Sequence, residues 1–289
     1  MKPDKLILGT VQFGLEYGIN NSRGKPKTEE VFQILKQAKQ AGITTLDTAD
    51  AYGNATQLVG NFNKEYNTPF LINTKFKIDF EKEGVAEQLH RSLELLQTNS
   101  VEVYFYHSFQ QLLDFPEVLS QLLLLRNKGK IKKIGVSVYT NEEFDTVINQ
   151  KEIDVIQIPF NVLDNIAQRG ELICKAKLNK KTIQVRSVFL QGLFFKDINS
   201  YPDKLYPLKR YVSAFLLIVK NSGRTVEDIC LSYALNQPDI DQVIIGVDSK
   251  EQLEQNLMFA RSSLSEKIKN EIDAIQVNEV ELLHPKNWN

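Results

Sequence analysis

The stretch TTLDTADAYGNATQLVGNFNK, Thr44 to Lys64, changes character halfway along. Its first six residues, Thr44–Ala49, form a short β-rich apolar run, as a buried strand requires. Small and polar residues follow, and from Thr56 to Lys64 the pattern is helical. Strand, loop and helix in that order make one unit of a parallel sheet, because parallel strands need a crossover and a helix usually provides it. The fold then depends on how often the unit recurs.

It recurs along the whole chain of 289 residues. Strand patterns are predicted at Lys5–Thr10, Thr44–Ala49, Pro69–Phe76, Val101–His107, Lys133–Tyr139, Asp154–Phe160, Thr182–Phe189 and Gln242–Val247. Helical patterns separate them: Thr28–Ala41, Thr56–Lys64, a face of Val85, Leu89, Leu93 and Leu96, then Pro116–Lys128, Asn141–Gln150 and Gln168–Leu178. Asp203–Asn221, Val226–Leu235, Lys250–Ala260 and Ser265–Gln276 complete the set. Eight alternations in this length predict an α/β fold, a (β/α)8 TIM barrel in a single domain spanning residues 1–289. The competitor is an open doubly wound sheet, which often carries G-x-G-x-x-G after its first strand. The chain has GTVQFG at Gly9–Gly14 instead, and no Pro/Ser-rich linker marks a boundary.

Composition narrows the function. A net charge of −1 gives no basic excess for nucleic acid or an anionic membrane surface. The apolar runs Leu122–Leu125 and Phe215–Val219 are too short to span a bilayer. The N-terminal segment lacks the long apolar stretch of a signal peptide. Two cysteines, Cys174 and Cys230, sit in no metal-ligand spacing and fit a reducing compartment. The expectation is a cytoplasmic soluble protein with no nucleic-acid or membrane partner.

Function in such a barrel sits at the C-terminal ends of the strands. Asp47 lies within the second strand, near its end; Tyr52 follows in the loop, Lys75 lies at the end of the third and His107 ends the fourth. Four ionisable side chains from three consecutive strands thus face one mouth. A buried lysine needs a partner, and Asp47 is the obvious one. An ammonium beside a phenol favours phenolate, so Lys75 is expected to lower the Tyr52 pKa. His107 would orient a carbonyl and Tyr52 would protonate its oxygen as hydride reaches the carbon. Asp50 reads as a solvated turn residue, and His90 and His284 as non-catalytic. A competing set, Asp47, Asp50 and His107 around a metal, would make a metal-dependent isomerase or lyase, but a lysine inside the shell argues against it.

LGTVQFG (Leu8–Gly14), LDTADAYG (Leu46–Gly53), NTKF (Asn73–Phe76) and VYFYHS (Val103–Ser108) occur in this order. GVS, IQIPFN, SVFLQGL and VIIGVDSKEQLEQN follow, the last ending at Asn256. The ordered set resembles the aldo-keto reductase superfamily over nearly the whole chain. The resemblance implies a barrel that binds an extended nicotinamide dinucleotide without a Rossmann fold, and a catalytic tetrad on Asp47, Tyr52, Lys75 and His107. It further implies that Ser137 and Gln157 hold the nicotinamide carboxamide, with Val138 where many relatives carry Asn. Arg186 falls where many members stack a tyrosine on the nicotinamide ring, and a guanidinium plane can stack too. Ser187, Leu190 and Gly192 would line the diphosphate path; Gly9, Thr10, Gly246, Ser249, Gln252 and Asn256 complete the implied contacts.

Ser249 followed by Gln252 also reads as a capping box at a helix start, a place that attracts phosphate. Relatives preferring NADP usually place a cation near Asp248 and often an arginine near Gln252. Here a carboxylate and an amide stand there, with Lys250 as the compensating cation. The expected cofactor is therefore NADP(H), with specificity relaxed so that NAD(H) is accepted. LGTVQFGLEYGIN is similar to a bacterial subgroup associated with sugar and surface-polysaccharide metabolism, which implies a carbohydrate-like carbonyl substrate. A polar approach at Glu16, Tyr17, Asn20 and Asn21 suits hydroxyls, and the loop after His107 is short. The tail LLHPKNWN, with the sole tryptophan Trp288, folds over the mouth or packs on the barrel bottom. The alternative to an enzyme is a nicotinamide-sensing regulatory subunit, as in some potassium-channel β subunits. The sequence fixes no oligomeric state.

Overall fold

A computed structural model of the chain describes residues 3–21, 23–67, 69–78 and 83–288. Eight parallel strands pair in sequence order and close on themselves, β8 returning to β1. In chain order the elements are β1 (Leu6–Gly9), α1 (Val11–Gly14), α2 (Thr28–Gln40), β2 (Thr45–Asp47), α3 (Ala55–Tyr66), β3 (Leu71–Phe76), α4 (Val85–Leu96) and β4 (Val101–Tyr106). Then come α5 (Phe109–Asp114), α6 (Val118–Asn127), β5 (Ile131–Ser137), α7 (Asn141–Ile148), β6 (Val155–Pro159), α8 (Ile166–Leu178) and β7 (Thr182–Arg186). The chain ends with α9 (Lys209–Ser222), α10 (Val226–Leu235), β8 (Gln242–Ile245), α11 (Lys250–Phe259) and α12 (Glu266–Asp273). The open doubly wound sheet is excluded.

Alternate residues of each strand go to opposite sides. Leu46, Ile72, Tyr104, Tyr106, Val136, Ile158 and Val185 point outward and join the helices in one large apolar cluster. Val103, Phe105 and Val155 form a separate small cluster, and polar groups continue it: Asn73 and Gln157 both donate to Gln184 Oε1 at 3.4 Å, and Gln184 donates to Gln242 at 2.8 Å. Helix burial therefore supplies most of the apolar core, and the strands carry polar side chains toward the mouth.

Several expectations shift, β7 among them, which ends at Arg186 and not at Phe189. β5 starts at Ile131, paired with Val101, and ends before Tyr139, because Val138 and Tyr139 turn into the α7 loop. The loop after His107 is the short helix α5, which buries Leu112. The helix expected at Asp203–Asn221 is divided: Asp203–Leu208 is 3-10, and α9 begins at Lys209, since Pro207 lacks the N–H that a continuous helix uses.

One buried ion pair ties the loops above β5 and β6 to α8. Arg169 donates to both carboxylate oxygens of Asp164 at 2.6 and 2.8 Å, to Asn141 at 2.8 Å and to the Tyr139 carbonyl at 2.7 Å. Arg169→Met should leave the Asp164 carboxylate buried without its counter-charge. The expected loss is about 3–5 kcal/mol of unfolding free energy, read as a lower urea midpoint at unchanged slope.

Candidate active site

A cavity of about 800 Å³ opens at the C-terminal ends of the strands, and Asp47, Tyr52, Lys75 and His107 all line it. Asp47 and Lys75 are 4% and 2% exposed. The Lys75 ammonium donates to Asp47 Oδ1 and, at 3.4 Å, to the Thr48 carbonyl. Gln157 Nε2 donates to the other oxygen, Asp47 Oδ2, at 3.0 Å. The Tyr52 ring lies over this pair, its centroid 5.4 Å from Lys75 Nζ, and meets the His107 ring edge-on at 6.2 Å. All four sequence candidates therefore converge.

The loop that carries Tyr52 is fixed by backbone contacts. The parallel ladder runs on past β2, with Thr48 N donating to Asn73 O and Asp50 N to Lys75 O. Asp50 is not the solvated turn residue expected: its carboxylate accepts from Ser92 Oγ at 2.7 Å and Arg91 Nη2 at 3.1 Å, fastening the loop to α4. Burial pushes its pKa up, opposed by Ser92 and Arg91. So the alternative metal set does not assemble; among the described residues no group of three His, Cys, Asp or Glu could hold an ion. On the other side Gly14 and Gly53 meet backbone to backbone. A Cβ on Gly14 would lie 1.8 Å from the Tyr52 carbonyl oxygen, and one on Gly53, at φ +56°, 2.4 Å from the Gly14 oxygen. Sequence reading missed this pair, though both glycines stand in the quoted motifs LGTVQFG and LDTADAYG.

Charge at the site differs from the expectation. Burial is the main cause that raises the Tyr52 pKa far above that of free tyrosine, Asp47 adds to it, and Arg186 is the cation that opposes it. The net shift is thus opposite to the one expected from Lys75; burial lowers the Lys75 pKa and Asp47 opposes that. His107 is pushed down to about 4, by burial first and then by Lys75 and Arg186, so its ring is neutral at pH 7.

The other candidates divide. Gly9, Thr10, Ser137, Gln157, Arg186, Ser187, Gly192, Gly246, Gln252 and Asn256 line the cavity. Leu190 does not: its side chain is fully buried in the helix-side core. Ser249 is the N-cap of α11 and accepts from Gln252 N at 3.3 Å. Gln252 Oε1 in turn accepts from Asp248 N at 2.8 Å, one residue before the position of a regular capping box. Lys250 is exposed and paired with Glu254 at 3.6 Å, so it does not compensate Asp248. Asp248 lines the cavity, and its Oδ1 is buried without a partner.

Gln157 tests whether a nicotinamide fits. Its Nε2 must face the Asp47 carboxylate, since two oxygens there would repel. Its Oε1 is then buried with no protein donor, as an acceptor for an incoming amide N–H would be. Arg186 does not point freely into the cavity. Its guanidinium lies 4.1 Å from the Tyr139 ring centroid and donates to Val138 O at 3.3 Å and Ser187 Oγ at 3.4 Å. The His284 ring also stacks on Tyr139, at 3.4 Å and 13°. The tail therefore folds over the mouth: Pro285, Lys286 and Trp288 line the cavity, and Trp288 Nε1 donates to Leu282 O at 2.7 Å. Tyr17, Asn20 and Asn21 of the polar approach also line it, whereas Glu16 does not.

The Aldo/keto reductase family model matches residues 5–277. Aldo-keto reductase YhdN of Bacillus subtilis (strain 168) is 26% identical over 278 residues, covering 86% of this chain and 84% of that one. D-arabinose 1-dehydrogenase of Saccharomyces cerevisiae is 24% identical over 276 residues, covering 86% and 80%. Among solved structures, the holo form of aldo-keto reductase AKR11C1 from Bacillus halodurans superposes with a TM-score of 0.75 at 20% identity, covering 94% of this chain and 92% of that one.

Burial and neighbouring cations hold His107 at about 4 and His284 at about 3, so both rings stay neutral through the physiological range. Their ring NMR resonances should be flat from about pH 5.5 to 8. Titration of either near 6.5 would contradict the buried arrangement. In Lys75→Met, which removes a cation beside it, the His107 titration should move upward.

Proposed function

The chain belongs to the aldo/keto reductase family, and from that membership we propose that it interconverts a carbohydrate-like aldehyde or ketone and its alcohol with a nicotinamide cofactor, Tyr52 serving as the general acid and base. The observation that carries the reading is the convergence of Tyr52 and His107 above the buried Lys75–Asp47 pair, with the unpartnered Gln157 oxygen alongside. A bound dihydronicotinamide supplies hydride to the carbonyl carbon. Its carboxamide would be held by Gln157 Oε1 and Ser137, both in the cavity wall.

The chain's own residues manage the proton. His107, neutral, donates a hydrogen bond that fixes the carbonyl oxygen. The Tyr52 hydroxyl transfers its proton to that oxygen as negative charge develops there. A phenol with a raised pKa stays protonated at neutral pH, so the acid is always loaded for reduction. As the proton leaves, the guanidinium of Arg186, the cation that opposes the raised pKa, favours the phenolate. The oxidation direction runs the same steps backward. D-arabinose 1-dehydrogenase is a sugar dehydrogenase by its name, and the polar approach at Tyr17, Asn20 and Asn21 suits hydroxylated substrates.

For the cofactor we infer relaxed specificity within an NADP(H)-type site. Asp248, Glu227 and the amides of Gln252, Gln255 and Asn256 line the β8 side of the cavity, and Arg23, outside that wall, is the cation that acts on Asp248. A 2′-phosphate there would meet a carboxylate, whereas a 2′-hydroxyl would donate to the free Asp248 Oδ1. Titration of the purified protein, followed by Trp288 fluorescence, should give NADH and NADPH affinities within about tenfold of each other. A preference for NADPH of about 100-fold or more would refute the role given to Asp248.

Tyr52→Phe should bind cofactor within about twofold of the parent and lose about 10²–10⁴ in carbonyl reduction. Full activity in that variant would show that another group is the acid.

A further inference from the structure

We propose that the substrate end of the cavity selects carbonyl compounds that also carry an anionic group, a carboxylate or a phosphate, gripped between Arg186 and Lys286. This rests on the oxidoreductase reading above and names its substrate class. Both cations lie against one aromatic ring: the Arg186 guanidinium is 4.1 Å and the Lys286 ammonium 5.0 Å from the Tyr139 ring centroid, and both residues line the cavity that holds Tyr52 and His107. Neither has an acidic partner among the described residues. Asp47, the one carboxylate near the reacting groups, is consumed by Lys75 and Gln157.

Arg186 retains donors for a ligand. Of the five N–H groups of a guanidinium, its recorded bonds are those to Val138 O at 3.3 Å and Ser187 Oγ at 3.4 Å, both long. Its plane is held in advance. Two planar groups cannot share one ring face at these distances, so Arg186 and His284 occupy opposite faces of Tyr139. Tyr139 is itself fixed, its carbonyl accepting from Arg169 at 2.7 Å and its N–H donating to Glu143 at 2.6 Å. A preorganised guanidinium edge is suited to two parallel bonds to a carboxylate or phosphate. Its face remains available to a nicotinamide ring, since edge and face point in different directions.

The same cations are poorly placed for the cofactor diphosphate. Arg186 leans toward Val138 and Tyr139, beyond β5, and away from β8. Lys286 belongs to the tail that roofs the mouth. The cavity's other acids, Glu227 and Asp248, lie on α10 and the β8 loop, so they do not neutralise the pair.

The test compares matched compounds: D-glucuronate with D-glucose, and D-glyceraldehyde 3-phosphate with D-glyceraldehyde, each with NADH and NADPH. At least one anionic member should have kcat/KM about tenfold or more above its neutral partner, an advantage that falls with added salt. Lys286→Gln should reduce that advantage about three- to tenfold, a larger change than in kcat/KM for the neutral compounds. Arg186→Gln should reduce the anionic-to-neutral ratio further, and Arg186→Lys should recover only part of it. The glucuronate and phosphate arms decide which anion is taken.

Binding of D-gluconate and of glycerol 3-phosphate to the cofactor-loaded protein, against sorbitol and glycerol, is read separately. Anion binding that weakens in Lys286→Gln, without turnover of any carbonyl, would support this site and refute the oxidoreductase reading. Turnover of neutral compounds with no anion preference would overturn this site and leave that reading standing. Variants that weaken cofactor affinity while the anionic-to-neutral ratio holds would also overturn it.

Discussion

A lysine ammonium 2% exposed inside the barrel can exist only if another charge answers it, and the rest of the site is arranged around that demand. Asp47 answers it from the neighbouring strand, and the second carboxylate oxygen is taken by Gln157 from across the barrel. β2, β3 and β6 are thereby bound to one register at their upper ends. Such a pair adds little net stability, because desolvation offsets the attraction, yet losing one partner strands the other. Beside this pair burial governs Tyr52, Asp47 adds to its effect, and Arg186 is the cation that opposes it.

That balance is possible because two jobs are separated by the pleat. Outward residues of the strands join the helices in the apolar cluster, so the inner face is free to carry Asn73, Gln157, Gln184 and Gln242 in a hydrogen-bonded set. A barrel interior filled with branched apolar residues would pack as well but would bring no polar group to the mouth. The acyl oxygen of Gln157 is the clearest result. The protein orients it by binding the amide nitrogen and leaves the oxygen unsatisfied, a cost that a ligand can relieve.

The alternation of strands and helices was legible because parallel strands buried on both faces read as continuous apolar runs. The convergence of Asp47, Lys75 and His107 was legible because these ionisable residues stand near the ends of such runs, with Tyr52 in the loop after the second. Boundaries failed where local chemistry hides them. Lys132 and Lys133 disguise the start of β5, which is set instead by Ile131 pairing with Val101. α5 is only six residues long and gives no full period. Partnerships between distant segments were not legible at all. Asp50 finds Ser92 and Arg91, Gly14 finds Gly53, and Arg186 finds Tyr139 with His284 behind it; no spacing in the sequence announces any of them. The direction of the Tyr52 shift was hidden for the same reason, since burial, which only the fold produces, is its main cause.

The mouth is consequently polarised. Cations stand on β7 and the tail, and carboxylates on the β8 loop and α10. A low-dielectric wall lets such separated charges act over several ångströms. On the proposed readings one field would make two decisions. At the acidic end the extra phosphate that distinguishes NADPH from NADH would be disfavoured, because it would meet Asp248. At the basic end an anionic group on the substrate would be favoured, and by neutralising Arg186 it would remove the cation that opposes the high pKa of Tyr52 and helps lower that of His107. Substrate binding would thus leave the phenol a more firmly protonated acid before hydride arrives, a coupling between recognition and proton supply that a neutral substrate does not produce.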